Sequence, residues 1–130
     1  MSANLSEEEY KNKLGPDRYR VLREKATEMP FTGKLLNNHQ DGSYYCAACG
    51  QLVFSSQAKF DSGSGWPSFY EPENRAAVKL VEDRSEGLRR VEVTCANCGS
   101  HLGHVFHDAP NQPTGMRFCI NSAALDFDIN

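Results

Sequence analysis

Two short cysteine motifs constrain this chain more than any other feature. Cys46-Ala-Ala-Cys49 and Cys95-Ala-Asn-Cys98 account for four of the five cysteines in its 130 residues. Each pair places two thiolates within reach of one ion. Each is followed by a glycine, Gly50 or Gly99, whose backbone freedom lets the chain turn so that its amides face the sulfurs. Together the pairs supply the ligands of a tetrahedral zinc site. The alternatives are two disulfides, which fit poorly with a reducing compartment, and a thioredoxin-like redox motif, which needs only one pair. Such a zinc site ties two hairpins that are distant in sequence and contributes on the order of 10 kcal/mol to folding. With four cysteine ligands it has no open position for substrate, so its expected role is to brace the fold.

The charge balance removes other classes. Lys and Arg number 14 against 17 Asp and Glu, a net charge of −3, with no basic run to bind phosphates. No nucleic-acid partner is expected. The opening "MSANLSEEEY" is acidic and polar, unlike a signal peptide, and no apolar run approaches the ~20 residues a membrane span needs. The expected address is cytoplasmic, with no membrane partner. The length suits a single domain over residues 1–130, with one core.

Local patterns divide the chain in two. Ser6 and Glu9 form a capping box, and Pro16 suits a helix first turn. Two short helices, or one broken one, are predicted over residues 6–26, within a helical segment of residues 1–30. After "MPFTG" the texture changes to short aromatic or β-branched runs: "GSYYC", "QLVFSS", "AAVKLVED", "LRRVEVTC", "GHVFHD", "MRFCIN" and "ALDFDI". Val91 and Val93 alternate with Glu92 and Thr94, the period of a half-buried strand, and "EDRSEGL" reads as a hairpin turn. The fold class is mainly β with short N-terminal helices.

The fifth cysteine poses the functional question. If "MRFCIN" is a strand, Met116, Phe118 and Ile120 face the core, whereas Arg117, Cys119 and Asn121 share the other face. A neighbouring cation favours thiolate, the nucleophilic form. The alternative is a buried core cysteine. "GSHLGHVFHDAP" adds His101, His104 and Asp108. With zinc served by four thiolates, these imidazoles are available for proton transfer, and Asp108 is a candidate to orient one of them. His107 has no distinct case beyond the surface. "SGSGWPSF" holds the only tryptophan; Trp66 is either a wall for a small methyl-bearing group or a core residue.

Taken together, "TEMPFTG", "GSYYCAACG", "FDSGSGWPSF", "VTCANCGSHLGHVF" and "RFCINSAALDF" resemble the type B methionine sulfoxide reductases over most of the chain. The resemblance implies two antiparallel sheets braced by a four-cysteine zinc site, with Cys46, Cys49, Cys95 and Cys98 as ligands. It implies Cys119 as nucleophile, Trp66 and Phe106 as substrate-binding residues, and His101, His104, Asp108, Arg117 and Asn121 around the reacting sulfoxide. The implied substrate is methionine-R-sulfoxide in proteins or peptides, with thioredoxin as reductant and the chain a monomer. One departure matters: many members carry a resolving cysteine where this chain has Ser64. No spare cysteine exists elsewhere, so an external thiol is expected to reduce the Cys119 sulfenic acid directly. The main rival is a zinc-braced binding module without catalysis. It accounts for the paired cysteines but not for the company Cys119 keeps.

Overall fold

The computed structural model describes residues 5–84, 87 and 89–129. Helices α1 (Glu7–Leu14) and α2 (Pro16–Glu24) open the chain. The capping box is present, with Glu9 N donating to Ser6 Oγ at 3.1 Å and Ser6 N to Glu9 Oε1 at 2.9 Å. Pro16 occupies the first turn of α2, and Lys25 caps its end in the left-handed region (φ 60°). Residues 25–30 are therefore not helical, and the helical segment is shorter than the expected 1–30. Among the described residues no helix is long and apolar enough to cross a membrane.

Among the described residues nine strands follow: β1 (Gly42–Cys46), β2 (Leu52–Ser55), β3 (Lys59–Phe60), β4 (Ser68–Phe69), β5 (Val78–Asp83), β6 (Arg90–Cys95), β7 (His101–Phe106), β8 (Arg117–Ile120) and β9 (Leu125–Ile129). They form two antiparallel sheets, ordered β2-β1-β9 and β3-β4-β8-β7-β6-β5. The β5–β6 hairpin is paired as far as Asp83–Arg90. Three residues of its expected turn, Ser85, Glu86 and Leu88, lie outside the described residues. The strand expected at 103–108 runs instead over His101–Phe106, which leaves His107 and Asp108 beyond its end. The two-residue strands β3 and β4 had no signal long enough to read.

The sheets meet through aromatic rings. Phe54 stacks on Phe69 with centroids 4.4 Å apart, Tyr44 meets Phe69 edge-on at 5.1 Å, and Phe118 tilts against Phe54 at 6.0 Å. Phe118 and Ile120 point into this core, so the opposite face of β8 carries Arg117 and Cys119, both half-buried. Strand β6 breaks the expected alternation: Val93 is buried, but Val91 is exposed and Glu92 is buried. Glu92 goes in because a histidine and a lysine meet it there, as described below.

The helices clamp the strand ends. Arg18 donates to the carbonyls of Ala123 and Leu125 and to Asp126, tying α2 to the start of β9. Lys13 Nζ donates to Ala48 O at 2.6 Å and Arg23 to Cys98 O at 3.0 Å. One helix thus holds each cysteine turn.

Candidate active site and metal centre

The four paired cysteines converge. Their sulfurs lie within 4.8 Å of one another, and all five cysteines are unbonded. Each pair sits in a tight turn at a strand end: Gly50 N donates to Cys46 O at 2.7 Å and Gly99 N to Cys95 O at 2.8 Å. Both glycines have positive φ, 84° and 77°, which a side chain would strain. Cys46 ends a strand of the smaller sheet and Cys95 one of the larger, so an ion held here staples the two sheets together. Hydrogen bonding from Cys46 draws Cys49 down to about 6 and holds Cys98 far below the ordinary thiol value, while the other three sulfurs push Cys46 far up. Four adjacent sulfurs cannot all ionise without positive charge among them. The residues present therefore fit a tetrahedral metal ion, at a distance in sequence from Cys119.

Cys119 lies on the opposite face of β8 from Phe118. In register, His104 of β7 stands directly across from Cys119 on one side, and Ser68 of β4 on the other. Directly paired residues share a face, so the sheet presents a row running Ser68, Cys119, His104, Glu92. His101 joins it through an irregularity. In a regular strand, residues three apart face opposite ways. Here the register shifts between Val93 and Thr94, pairing Thr94 with His101 and leaving Leu102 as the extra residue. The two imidazoles meet edge-on, centroids 5.3 Å apart.

Each imidazole is held by a carboxylate, and neither carboxylate is Asp108. His101 Nδ1 lies 2.8 Å from Glu92 Oε2, both side chains almost wholly buried, and Lys25 Nζ approaches the other Glu92 oxygen at 3.3 Å. His104 Nε2 lies 2.8 Å from Asp83 Oδ2. Because a carboxylate accepts, the neutral tautomers place the ring hydrogens on His101 Nδ1 and His104 Nε2. His101 Nε2 is buried with no hydrogen-bond partner among the described residues. Burial lowers the His101 pKa, against the pull of Glu92. Asp108 instead grips Arg117 with two bonds of 3.0 Å, which holds its carboxyl below the usual range. It lies past the end of β7, exposed, and the expectation that it orients a histidine is corrected. Arg117 also lies 4.5 Å over the ring of Phe106, its register partner.

Burial pushes the Cys119 thiol up, with Arg117 partly opposing it. Sequence reasoning set the cation against a buried core cysteine. In the fold desolvation outweighs the cation, and the net shift is upward.

The tryptophan is neither fully exposed nor core. Trp66 is half-buried and lines a groove of about 330 Å³ with Phe31, Leu36, Phe60 and the Asp61–Gly65 loop. Its Nε1 donates to Glu28 O at 3.0 Å. Glu28 N in turn donates to Asn121 Oδ1 at 3.0 Å, and Asn121 Nδ2 to Leu102 O at 3.1 Å. Asn121 thus gives its amide to these backbone groups. Strand β8 ends at Ile120, and the amide is fully engaged with backbone groups. It anchors the segment that holds Trp66. His107 is exposed, as expected. Sequence reasoning missed Asp83, Glu92 and Glu28. Their roles depend on which strands are neighbours, and only the buried position of Glu92 beside valines offered any signal.

Residues 14–129 match the family model described as the SelR domain. The chain belongs to the SelR-domain family. The chain is 55% identical over 124 residues to the peptide methionine sulfoxide reductase MsrB of Leptospira interrogans, covering 95% of this chain and 94% of that one. It is 57% identical over 122 residues to proteins of the same name from Methanosarcina mazei, covering 94% and 86%, and from Leifsonia xyli, covering 94% and 88%. Among solved structures, the crystal structure of the Mis18 "Yippee-like" domain matches with a TM-score of 0.55 at 19% identity, over 70% of this SelR chain and 98% of that chain. That likeness concerns the fold alone.

Proposed function

We infer that this chain reduces the R epimer of methionine sulfoxide in proteins and peptides to methionine, a repair of oxidative damage. The observation that carries the reading is the register of β7 and β8, which sets His104 directly opposite the one cysteine outside the metal cluster. Family membership supports the substrate class.

Cys119 starts as a thiol. Its proton passes to the lone pair of His104, whose ring is oriented by Asp83. The sulfur then attacks the sulfoxide sulfur, and the imidazolium returns the proton to the sulfoxide oxygen as negative charge builds there. The Sγ–S bond formed in the attack then breaks as the hydroxyl moves across, so the substrate S–O bond is lost and an S–O bond forms at Cys119. Two electrons move from Sγ to the substrate sulfur, leaving methionine and a sulfenic acid. Arg117, held by Asp108, favours charge at Cys119 during attack. Trp66 and Phe106 bound the substrate, with the methyl group against the indole and the oxygen towards His101 and His104. That arrangement selects the R epimer. His101, held by Glu92, supports His104.

With serine at position 64 the chain has no resolving thiol. An external thiol condenses with the sulfenic acid, releasing water and forming a mixed disulfide, and a second thiol frees Cys119. Thioredoxin supplies both. The ion held by Cys46, Cys49, Cys95 and Cys98 is zinc; it braces the sheets and takes no part in turnover. The chain acts as a monomer in the cytoplasm.

The test is a single turnover without reductant, offering each epimer of a blocked methionine sulfoxide. One equivalent of methionine from the R epimer alone, one oxygen gained at Cys119 and full zinc retention are expected. No product from either epimer by folded, metal-loaded protein makes the chain a binding module. Zinc release during turnover overturns the external-thiol step.

A further inference from the structure

Three serine hydroxyls form a chain beside Cys119. Ser64 Oγ lies 3.9 Å from Cys119 Sγ, Ser62 Oγ 2.8 Å from Ser64 Oγ, and Ser68 Oγ 2.7 Å from Ser62 Oγ. Ser68, almost wholly buried, donates to the carbonyl of Trp66 at 3.1 Å.

Donor counting gives this chain a direction, because each hydroxyl has one hydrogen. With the Ser68 hydrogen on Trp66 O, Ser62 donates to Ser68 and Ser64 to Ser62. Backbone amides reinforce the polarity: Ser62 Oγ accepts from Ser64 N at 3.3 Å, and Ser64 Oγ from Trp66 N at 3.4 Å. Ser64 therefore meets Cys119 with a lone pair. It accepts a hydrogen from that position and has none to give. A thiol or a sulfenic acid satisfies it; a thiolate or a sulfenate does not. To solvate either anion all three hydroxyls must turn round, and the Trp66 carbonyl loses its donor.

We propose that Ser64 is the hydrogen-bond acceptor for the sulfenic acid of Cys119, and that the one-way hydroxyl chain behind it keeps that acid protonated until an external thiol arrives. The proposal rests on the reading above, in which Cys119 ends the first half-reaction as a sulfenic acid. Its consequence is resistance to over-oxidation. Sulfinic acid forms when the sulfenate anion attacks hydrogen peroxide: a new S–O bond forms, the O–O bond breaks, two electrons leave sulfur, and water departs. A sulfenic acid held with its hydrogen on Ser64 is a poor nucleophile. A chain that waits for a diffusing thiol holds this state longer than one with a resolving cysteine at hand.

The test prepares the sulfenic acid in folded, metal-loaded protein by two routes: one equivalent of blocked methionine-R-sulfoxide, or one equivalent of hydrogen peroxide, which gives the same acid and water. Excess peroxide follows, and sulfinic acid on the Cys119 peptide is timed by mass. Over-oxidation is expected several-fold faster in Ser64→Ala than in the parent, faster to a smaller degree in Ser62→Ala, and close to the parent rate in Ser64→Thr. Equal rates in the parent and Ser64→Ala overturn the proposal. An effect of Ser64→Ala that Ser62→Ala does not share overturns it too, because a local change at position 64 then suffices. Sulfenic acid from peroxide but not from the sulfoxide sinks the reading of function, while the peroxide route still decides this one.

Discussion

The five cysteines divide into two regions with opposite physics. At the metal centre four sulfurs crowd within 4.8 Å, their charges mutually dependent, in two turns built by short contiguous motifs. On the outer face of the larger sheet a single sulfur is surrounded by groups drawn from β4, β7, β8 and the Asp61–Gly65 loop. The first region is local in sequence twice over and needs only to be brought together once. The second exists only because strands are paired in one register. On the proposed function, sulfur braces the fold where four ligands surround one ion, and does chemistry where a lone thiol faces a base.

The comparison breaks most visibly at the metal ligands. Cys95→Ser, or removal of the ion by a chelator, is expected to cost on the order of 10 kcal/mol, enough to unfold a domain of ordinary stability. Cys119→Ser should abolish turnover while shifting stability by about 1 kcal/mol or less. Circular dichroism melts beside activity decide it; a metal-free chain that melts like the parent erases the distinction. Next in size is His104→Gln, with a fall in kcat of about 10² to 10⁴-fold and unchanged metal content. A change below twofold removes His104 from the proton path.

Titration of Cys119 sharpens the contrast further. Burial raises this thiol and Arg117 lowers it, so Arg117→Met leaves burial less opposed and moves the titration upward. Less thiolate is then present at any given pH, and alkylation by iodoacetamide slows, its pH profile displaced to higher pH. A profile that stays in place makes Arg117 a substrate contact only. The smallest effect belongs to Asp108→Asn. This carboxylate is half-exposed, so its ion pair with Arg117 adds less than about 1 kcal/mol to stability. Its loss is expected to lower kcat less than Asp83→Asn does, because Asp83 and not Asp108 holds His104. The reverse order restores the assignment made from sequence spacing.

Much of this molecule follows from the chain as written. The capping box at Ser6 and Glu9, the Pro16 restart and the two Cys-x-x-Cys turns are contacts between residues a few positions apart. Such geometry follows directly from residue type. The two faces of β8 follow from alternation, since pleating alone sends Phe118 inward and Cys119 out. Three features were settled only by the tertiary structure. The register shift at Leu102 brings His101 onto the face of His104, against the regular period. Glu92 and Asp83 take the orienting role expected of Asp108, because strand order places β5 and β6 beside the histidines. Burial outweighs the Arg117 cation in setting the direction of the Cys119 shift. Each is a contest between long-range neighbours, where pairing partners and desolvation outweigh spacing along the chain.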